Sequence, residues 1–573
     1  MLKLRRVLVV AAVCFCFETS AAAVDYGDIT VTVDPPPGSR SHGYVDYKVV
    51  VSNRASQASH QVTLTIPGNS YSGSGIARVS RSVLVQPSST LVVSLPVPAL
   101  PLYGSGLGVS IDGKRQDLLI PLDFVDYGGS QPHVLVSSNV DSKGLDAYSG
   151  SVAPSTPWLT REFTVVSSPI AEWSENWLGY SGFDCVVASG EDLRAMPPGV
   201  RSAIWRYVEC GGLLVVSGNC EIPEPWRSRY QERAQMPTWF VGFGQCILVE
   251  HGVAKLVSTE YDYIHQASQE SMAPFGFATT HEPAQANRIF PIVENLTMPV
   301  RGLFLLMLVF VAVIGPLNLF VLARKKRKIW LLWTVPAISL ITCVAVSAYS
   351  IFSEGWGGRS RTAGITILDE QNNRATTIGW TAFYTPLTPS DGLHYGYETE
   401  VTPQLGQAGG YRGEAISARS IDWTGDQHLS SGWVSARVPA HFKLRKSELR
   451  RERLTLSTAK DGSLELVNGL GANVRELWLA DRDGQIHNAG NVLAGASVSL
   501  VPRQGLKAFG RVDSLHEFFA TAEWTGLDRL SESLLMPGCY IAVLESNPFI
   551  EEGLRDAGQR KSESVVYGIM KRE

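Results

Sequence analysis

Charge and cysteine are both scarce in this chain, and the common catalytic signatures are missing from it. Only 18% of its 573 residues are charged, against 45% hydrophobic, which describes folded material rather than disorder. The formal net charge of −4 supplies no field that would recruit nucleic acid, so no nucleic-acid partner is expected. Of eight cysteines, Cys14 and Cys16 fall in an N-terminal leader and Cys343 in an apolar run. The others, Cys185, Cys210, Cys220, Cys246 and Cys539, show no CxxC or metal-like spacing, so neither a metal site nor a cofactor is expected. An exported chain can oxidise a pair among the first four of these. The spacing leaves that pairing open, and the odd count leaves at least one thiol free. No GxSxG, HExxH, Walker or dinucleotide motif occurs.

What is present is mostly apolar and patterned for a membrane. Lys3, Arg5 and Arg6 precede an apolar stretch from Val7 to Phe17, and Ala21-Ala22-Ala23 follows. This is the layout of a signal peptide over residues 1–23, cleaved near Ala23. The apolar stretch of about eleven residues rises about 16 Å as a helix, short of the roughly 30 Å hydrocarbon core. Further on, Gly302 to Ala323 and Ile329 to Phe352 are uncharged runs of about 22 and about 24 residues, each long enough to cross a bilayer. Between them stand Arg324, Lys325, Lys326, Arg327 and Lys328. Positive loops stay cytoplasmic, so this pattern predicts transmembrane helices at 302–323 and 329–352 around a cytoplasmic loop at 324–328. Both flanking parts then lie outside. Trp330 and Trp333 mark the inner interface, and Tyr349, Phe352 and Trp356 the outer one. Gly315, Pro316, Asn318 and Pro336 are expected to shape the packing of the hairpin, with Asn318 bonding Ser339, Thr342 or a freed carbonyl.

The outer segments read as β and α/β. Residues 24–127 alternate as short strands, such as Ile29-Thr30-Val31-Thr32-Val33 and Val62-Thr63-Leu64-Thr65-Ile66, between turn formers, which predicts an immunoglobulin-like β-sandwich. Within 128–298 the compact apolar runs His133 to Val136 and Phe183 to Ala188 precede a helix from Gly199 to Glu209. Gly211-Gly212 stops that helix, and Leu213 to Val216 follows. Strand, helix and strand in this order predict a βαβ unit in a parallel sheet, with a later strand from Trp239 to Glu250.

The runs Phe183 to Val187, Pro197 to Val208 and Gly211 to Val216 resemble the class I glutamine amidotransferase-like fold, over about 80 residues. That resemblance implies a flavodoxin-like parallel domain with a nucleophilic cysteine on a glycine-flanked strand-to-helix turn. Here Ser217 stands nearest that position, Val215 and Asn219 replace the glycines, and Cys220 comes three residues late. His281-Glu282 follows in the order of a base and its orienter. Cys220, His281, Glu282 and Ser217 are therefore the catalytic candidates of a degenerate elbow. The stretch from Arg301 to Arg361, with Gly315-Pro316-Leu317-Asn318 and Ser353 to Arg359, also resembles a group of largely uncharacterised bacterial membrane proteins in which such a domain precedes a membrane hairpin.

Residues 353–573 again read as β, sandwich-like, with expected strands that include Trp433 to Val438 and Tyr540 to Leu544. A helical stretch is expected at Asp513 to Thr521 and Leu527 to Leu535, and a mobile tail from Glu551. The cation-rich run Lys443 to Arg453 reads as a solvated strand edge, with contact to anionic lipid or polymer as the alternative. The whole predicts a multidomain α/β plus all-β envelope protein of a bacterial inner membrane. Its expected partners are the lipid bilayer and other membrane or envelope proteins, and its expected role is a non-enzymatic binding, sensing or assembly scaffold. The alternatives are an envelope hydrolase or transferase, or an accessory subunit of a larger membrane complex.

Overall fold

A computed structural model describes residues 22–34, 42–68, 76–98, 106–122, 132–145, 163–221, 223, 226, 230–272, 283–293, 300–325, 328–354, 357–404, 419–458, 463–521, 532–555 and 557–571. The chain is mixed α/β, with several strand-rich sheets. The leader up to residue 21 lies outside the described residues.

The alternating N-terminal strands bury one side each, as their period of two requires. Ile29, Val31 and Val33 face inward on Ile29–Asp34, as do Val62, Leu64 and Ile66 on His60–Pro67. Four strands, Ala22–Tyr26, Ile29–Asp34, Tyr44–Asn53 and Thr90–Pro98, make one antiparallel sheet. His60–Pro67 and Ile76–Val85 belong to a second, seven-stranded sheet, and they do not fill it alone. Arg419–Asp422 pairs in parallel with Ile76–Val85 and carries Gln427–Ser431 and Leu393–Tyr395 on its far side. Segments on either side of the apolar helices thus share one sheet, across the boundaries drawn at 127 and 353.

The βαβ unit is present. Cys185–Ser189 and Leu213–Ser217 pair in parallel, and the helix Pro198–Glu209 connects them. Proline at its first position is compatible with a helix start, and Val200, Ile204, Tyr207 and Val208 supply the buried face. The helix stops at Gly211, whose φ of +110° excludes an ordinary side chain. The sheet runs Thr164–Ser168, His133–Ser137, Cys185–Ser189, Leu213–Ser217, Gly244–Val249, all parallel, and then Met236–Val241 and Tyr230–Arg233, antiparallel. The single strand expected from Trp239 to Glu250 is therefore a hairpin. Gly242, at φ +58°, supplies the turn that divides the apolar run in two.

A nine-stranded sheet is built from residues beyond the apolar helices, and it corrects three expectations. The tail expected to be mobile is built into the sheet as far as Ile569. Ala557–Ile569 lies inside the sheet, parallel to Gly358–Asp369 and antiparallel to Cys539–Leu544, with Val565, Val566 and Tyr567 buried. Without it, both neighbours would present rows of unpaired backbone groups in the interior. The cationic run is not a solvated edge either. Ala440–Leu449 sits between Glu400–Gln404 and Arg374–Tyr384, where the buried Glu400 carboxylate pairs with Arg445 and the half-buried Glu551 with Lys446. Trp433 to Val438 is a loop rather than a strand. Its apolar residues still reach the core, since Trp433 and Val434 are buried and the Trp433 indole donates to the Ser420 carbonyl at 2.9 Å. The helix Val512–Thr521 and the strand Cys539–Leu544 lie where they were expected.

The apolar region forms the helix Val300–Ala312, a π-helical turn Val313–Leu317, and the helix Asn318–Arg324. Pro316 sits inside the π-turn, where its missing N–H would otherwise break the regular ladder. From Met307 to Arg324 the helix is long and apolar enough to cross a membrane, and only 6% of that stretch is buried. The next helix, Leu331–Glu354, contains Pro336. Asn318 donates to Thr334 Oγ1 at 2.9 Å, not to Ser339 or Thr342 as expected. Asn318 and Thr334 lie at similar distances from the intervening loop, whereas Ser339 and Thr342 are roughly 7–12 Å deeper at 1.5 Å per residue. Thr342 instead donates to its own helix, at the Ile338 carbonyl.

Candidate functional site

The C-terminal ends of the parallel strands are where open α/β sheets bind ligands, chiefly at the point where strand order reverses. Here that point lies between His133–Ser137 and Cys185–Ser189. It is filled by the chain's own polar groups. Ser189 caps the following short helix, accepting from the Asp192 N–H at 3.0 Å while Asp192 accepts from the Ser189 N–H at 2.9 Å. The other Asp192 oxygen accepts from the Asn139 amide at 2.8 Å. Burial works to raise the Asp192 carboxyl, and the bonds from Asn139, Ser189 and Ser137 outweigh it and hold the group below the usual range.

One strand over, Leu213–Ser217 runs into Gly218, Asn219 and Cys220. The Ser217 hydroxyl accepts from the Val253 N–H at 3.2 Å. The half-buried Cys220 thiol donates to the carbonyl of Glu221, at 3.5 Å. Burial raises its pKa, with Glu221 adding to that rise and Arg194 opposing it. A nucleophilic cysteine needs the reverse shift, so this thiol stays protonated at neutral pH. His281 and Glu282 lie outside the described residues. Cys185, Cys210, Cys246 and Cys539 are buried and outside any disulfide.

Sequence reasoning missed a buried polar seam between the helix Pro198–Glu209 and the strand Ala440–Leu449. Arg445 donates from Nε to Glu400 Oε2 at 2.7 Å and from a terminal nitrogen to the Cys210 carbonyl at 3.3 Å. Tyr44 reaches the same place from the N-terminal sheet, donating to the Val401 carbonyl at 3.0 Å and accepting from the Gln427 amide at 2.6 Å. Burial and the Glu400 charge push its phenol far above the usual range. Glu209 accepts from Arg374 and from Ser447, both at 2.5 Å. Lys446 bonds Glu551 at 3.3 Å and Glu448 at 2.9 Å. Apart from Lys446 and Glu448, the partners lie from 45 to 383 residues apart in sequence, so no local motif marks them.

Beside this seam a cleft of about 230 Å³ is lined by Trp205, Glu209, Trp226, Asp369, Asn372 and Arg374, among others. The two indoles meet edge to face at 4.6 Å. Through Asn372 it adjoins an open cleft of about 450 Å³ bordered by Arg450, Arg451 and Arg453. The cationic run therefore divides: its buried residues hold the sheet, and its last three arginines border a groove with tryptophans at the other end.

Among the described residues, one group has metal-ligating side chains close enough to share an ion: Asp391, His394 and His428. No spacing rule finds it, because strand pairing across the sheet brings the two histidines together.

No protein-family model matches the chain, and no curated protein matches it. Among solved structures, the yeast delta-COP-I mu-homology domain complexed with a Dsl1 WxWxV peptide aligns with 37% of this chain and 96% of its own. It does so at 8% identity and a TM-score of 0.17, too low to carry an argument.

Proposed function

We propose that the chain is a bacterial inner-membrane protein anchored by a two-helix hairpin, whose two flanking parts lie outside the cytoplasm and form one non-enzymatic binding or assembly scaffold. The observation that carries this reading is the pairing of Arg419–Asp422 with Ile76–Val85. Two strands in one sheet must lie on the same side of a membrane, so the chain between them crosses an even number of times. Two crossings by the apolar helices satisfy that count, and the basic loop between them supports a cytoplasmic turn. Surface energetics point the same way. Phe304, Met307, Leu308, Val311, Phe320, Leu332, Leu340 and Ile341 are each more than half exposed. Leaving them in water forfeits on the order of 10 kcal/mol of burial energy, comparable with the net stability of a whole domain. In lipid that penalty vanishes.

The non-enzymatic part of the proposal rests on the elbow, whose thiol is raised rather than activated and whose serine hydroxyl bonds backbone. The parallel strand order, 2-1-3-4-5 when numbered along the chain, is that of a flavodoxin-like sheet and supports the resemblance in fold alone. The tryptophan–arginine groove is the binding face, suited to an anionic partner with a planar or apolar part.

The test is accessibility of single cysteines in intact cells, in a background lacking Cys220. Cysteines are placed at the exposed positions Asp117 and Asp483 and in the loop at Lys326, and probed with a maleimide that cannot cross the inner membrane. Labelling at the first two and protection at Lys326 until lysis is expected. Protection of either Asp117 or Asp483 overturns the hairpin.

A further inference from the structure

Far from the elbow, at the outer end of the shared sheet, Leu393–Tyr395 pairs antiparallel with Gln427–Ser431, and His394 stands directly opposite His428. Their imidazoles stack with centroids 4.2 Å apart and planes within 12°. The Nε2 atoms of both rings converge on Asp391, lying 3.0 Å and 2.8 Å from its carbonyl oxygen, and the Asp391 carboxylate is 3.2 Å from His394 Nε2. Gly392, at φ +61°, makes this approach possible, since a side chain there would collide with the Leu429 carbonyl.

The far side of His394 matters as much. Its Nδ1 is 2.8 Å from the Asp426 carboxylate. A carboxylate there accepts the Nδ1 proton, and that bond sets the tautomer in which Nε2 presents a lone pair. That lone pair points at a carbonyl and a carboxylate, which are themselves electron-rich. Electron-rich atoms converging in this way are reconciled by a cation between them. We infer that Asp391, His394 and His428 bind a divalent transition cation of the zinc type, with Asp426 as the residue that positions His394.

The donor set selects the ion class. Two imidazole nitrogens and one carboxylate suit zinc, copper or nickel, whereas calcium and magnesium prefer oxygen alone. The three ligand atoms already lie within 4.8 Å of one another. Opening the ring stack lets the nitrogens turn toward a shared ion at about 2.0–2.1 Å. Asp391 is exposed, so the ion enters from solvent. Arg555 competes with it: its guanidinium lies 3.4 Å from Asp391 and 3.7 Å from Asp426, on a side chain that is 62% exposed and free to swing away. A bound ion staples the paired strands and so raises the stability of the sheet that joins the two halves of the chain.

The experiment is zinc titration of the full-length protein in detergent, after stripping with chelator, read by competition with a chromophoric chelator and by thermal unfolding. Expected are one tight equivalent and a raised Tm, both lost in His394→Ala. Asp426→Asn weakens binding by roughly 10–100-fold, and Arg555→Ala tightens it. His60→Ala and His251→Ala, which remove histidines paired with Asp112 and Glu260 elsewhere, leave it unchanged. Should His394→Ala fail to fold, Asp391→Asn at the exposed ligand serves instead and must weaken binding at least tenfold. No tight equivalent in the wild type, or one that survives the ligand substitution, overturns the site and leaves an ordinary cluster of hydrogen bonds.

Discussion

Replacing Arg445 tests whether the buried seam holds the α/β unit to the nine-stranded sheet. The Arg445 side chain is 8% exposed and that of Glu400 1%, with their charged atoms 2.6 Å apart. In Arg445→Met the stem volume is kept, but the Glu400 carboxylate is stranded without its cation and the Cys210 carbonyl loses a donor. Burial already pushes the Glu400 carboxyl above its ordinary value, and Arg445 is the largest of the groups that oppose this, with His42 and Thr402 assisting. Breaking a buried pair from one side costs about 3–5 kcal/mol, and Glu400→Gln should cost a similar amount by stranding the guanidinium. The double replacement Glu400→Leu with Arg445→Met removes both charges. It should recover most of the loss, because a well-packed apolar pair is about as stable as a buried ionic one. Global unfolding of a chain this large is not two-state, so the readout is amide hydrogen exchange in Pro198–Glu209 and Ala440–Leu449, which reports local opening free energies. If either single replacement changes protection by less than about 1 kcal/mol, the pair is not the weld. A double variant as damaged as the two singles added together would show that packing, not charge, carries the loss.

His516 should make the sheet contact acid-sensitive. Burial, with the Arg233 charge adding to it, drops its pKa from 6.5 to about 4, while its ring packs 4.8 Å from Phe240. A depressed histidine favours the neutral form in the folded state. Its contribution is therefore complete above pH 6.5 and is lost as pH falls from there toward about 4, at ~1.4 kcal/mol per pH unit and ~3 kcal/mol in all. Thermal unfolding of wild type and His516→Gln across this window should converge as pH falls. Parallel curves would refute the assignment. Truncation tests the tail: removing residues 572–573 should leave expression and Tm unchanged, while ending the chain at Glu552 deletes Ala557–Ile569 and should abolish folded protein. A folded, monodisperse product lacking that strand would contradict its place in the sheet.

What the sequence showed and what it hid divide along the distance over which each pattern acts. The alternation in Ile29–Asp34 and the helix between two apolar strands at 185–217 are local periodicities, and each declares its buried face without reference to the rest of the chain. The apolar run ending at Arg324 is legible for the same reason. The hidden features all depend on a partner elsewhere. Ser564 to Tyr567 is a short β-prone stretch at a chain end, and nothing near it tells that Gly358–Asp369 needs a parallel neighbour. Lys443 to Arg453 looks like an edge because charge normally seeks water. It lies inside because Glu400 and Glu551 arrive from 45 and 105 residues away. His394 and His428 are 34 positions apart in sequence and become neighbours only through strand register. The catalytic candidates are a different case: Ser217 and Cys220 are described and His281 and Glu282 are not, and a nucleophile is defined by its hydrogen bonds and its pKa, neither of which is written in spacing. Charge and titratable groups are thus informative in this chain only once their partners are known. The seam and the histidine pair both lie where residues distant in sequence are brought together by strand pairing and packing. That is the physical reason to look for function at those junctions.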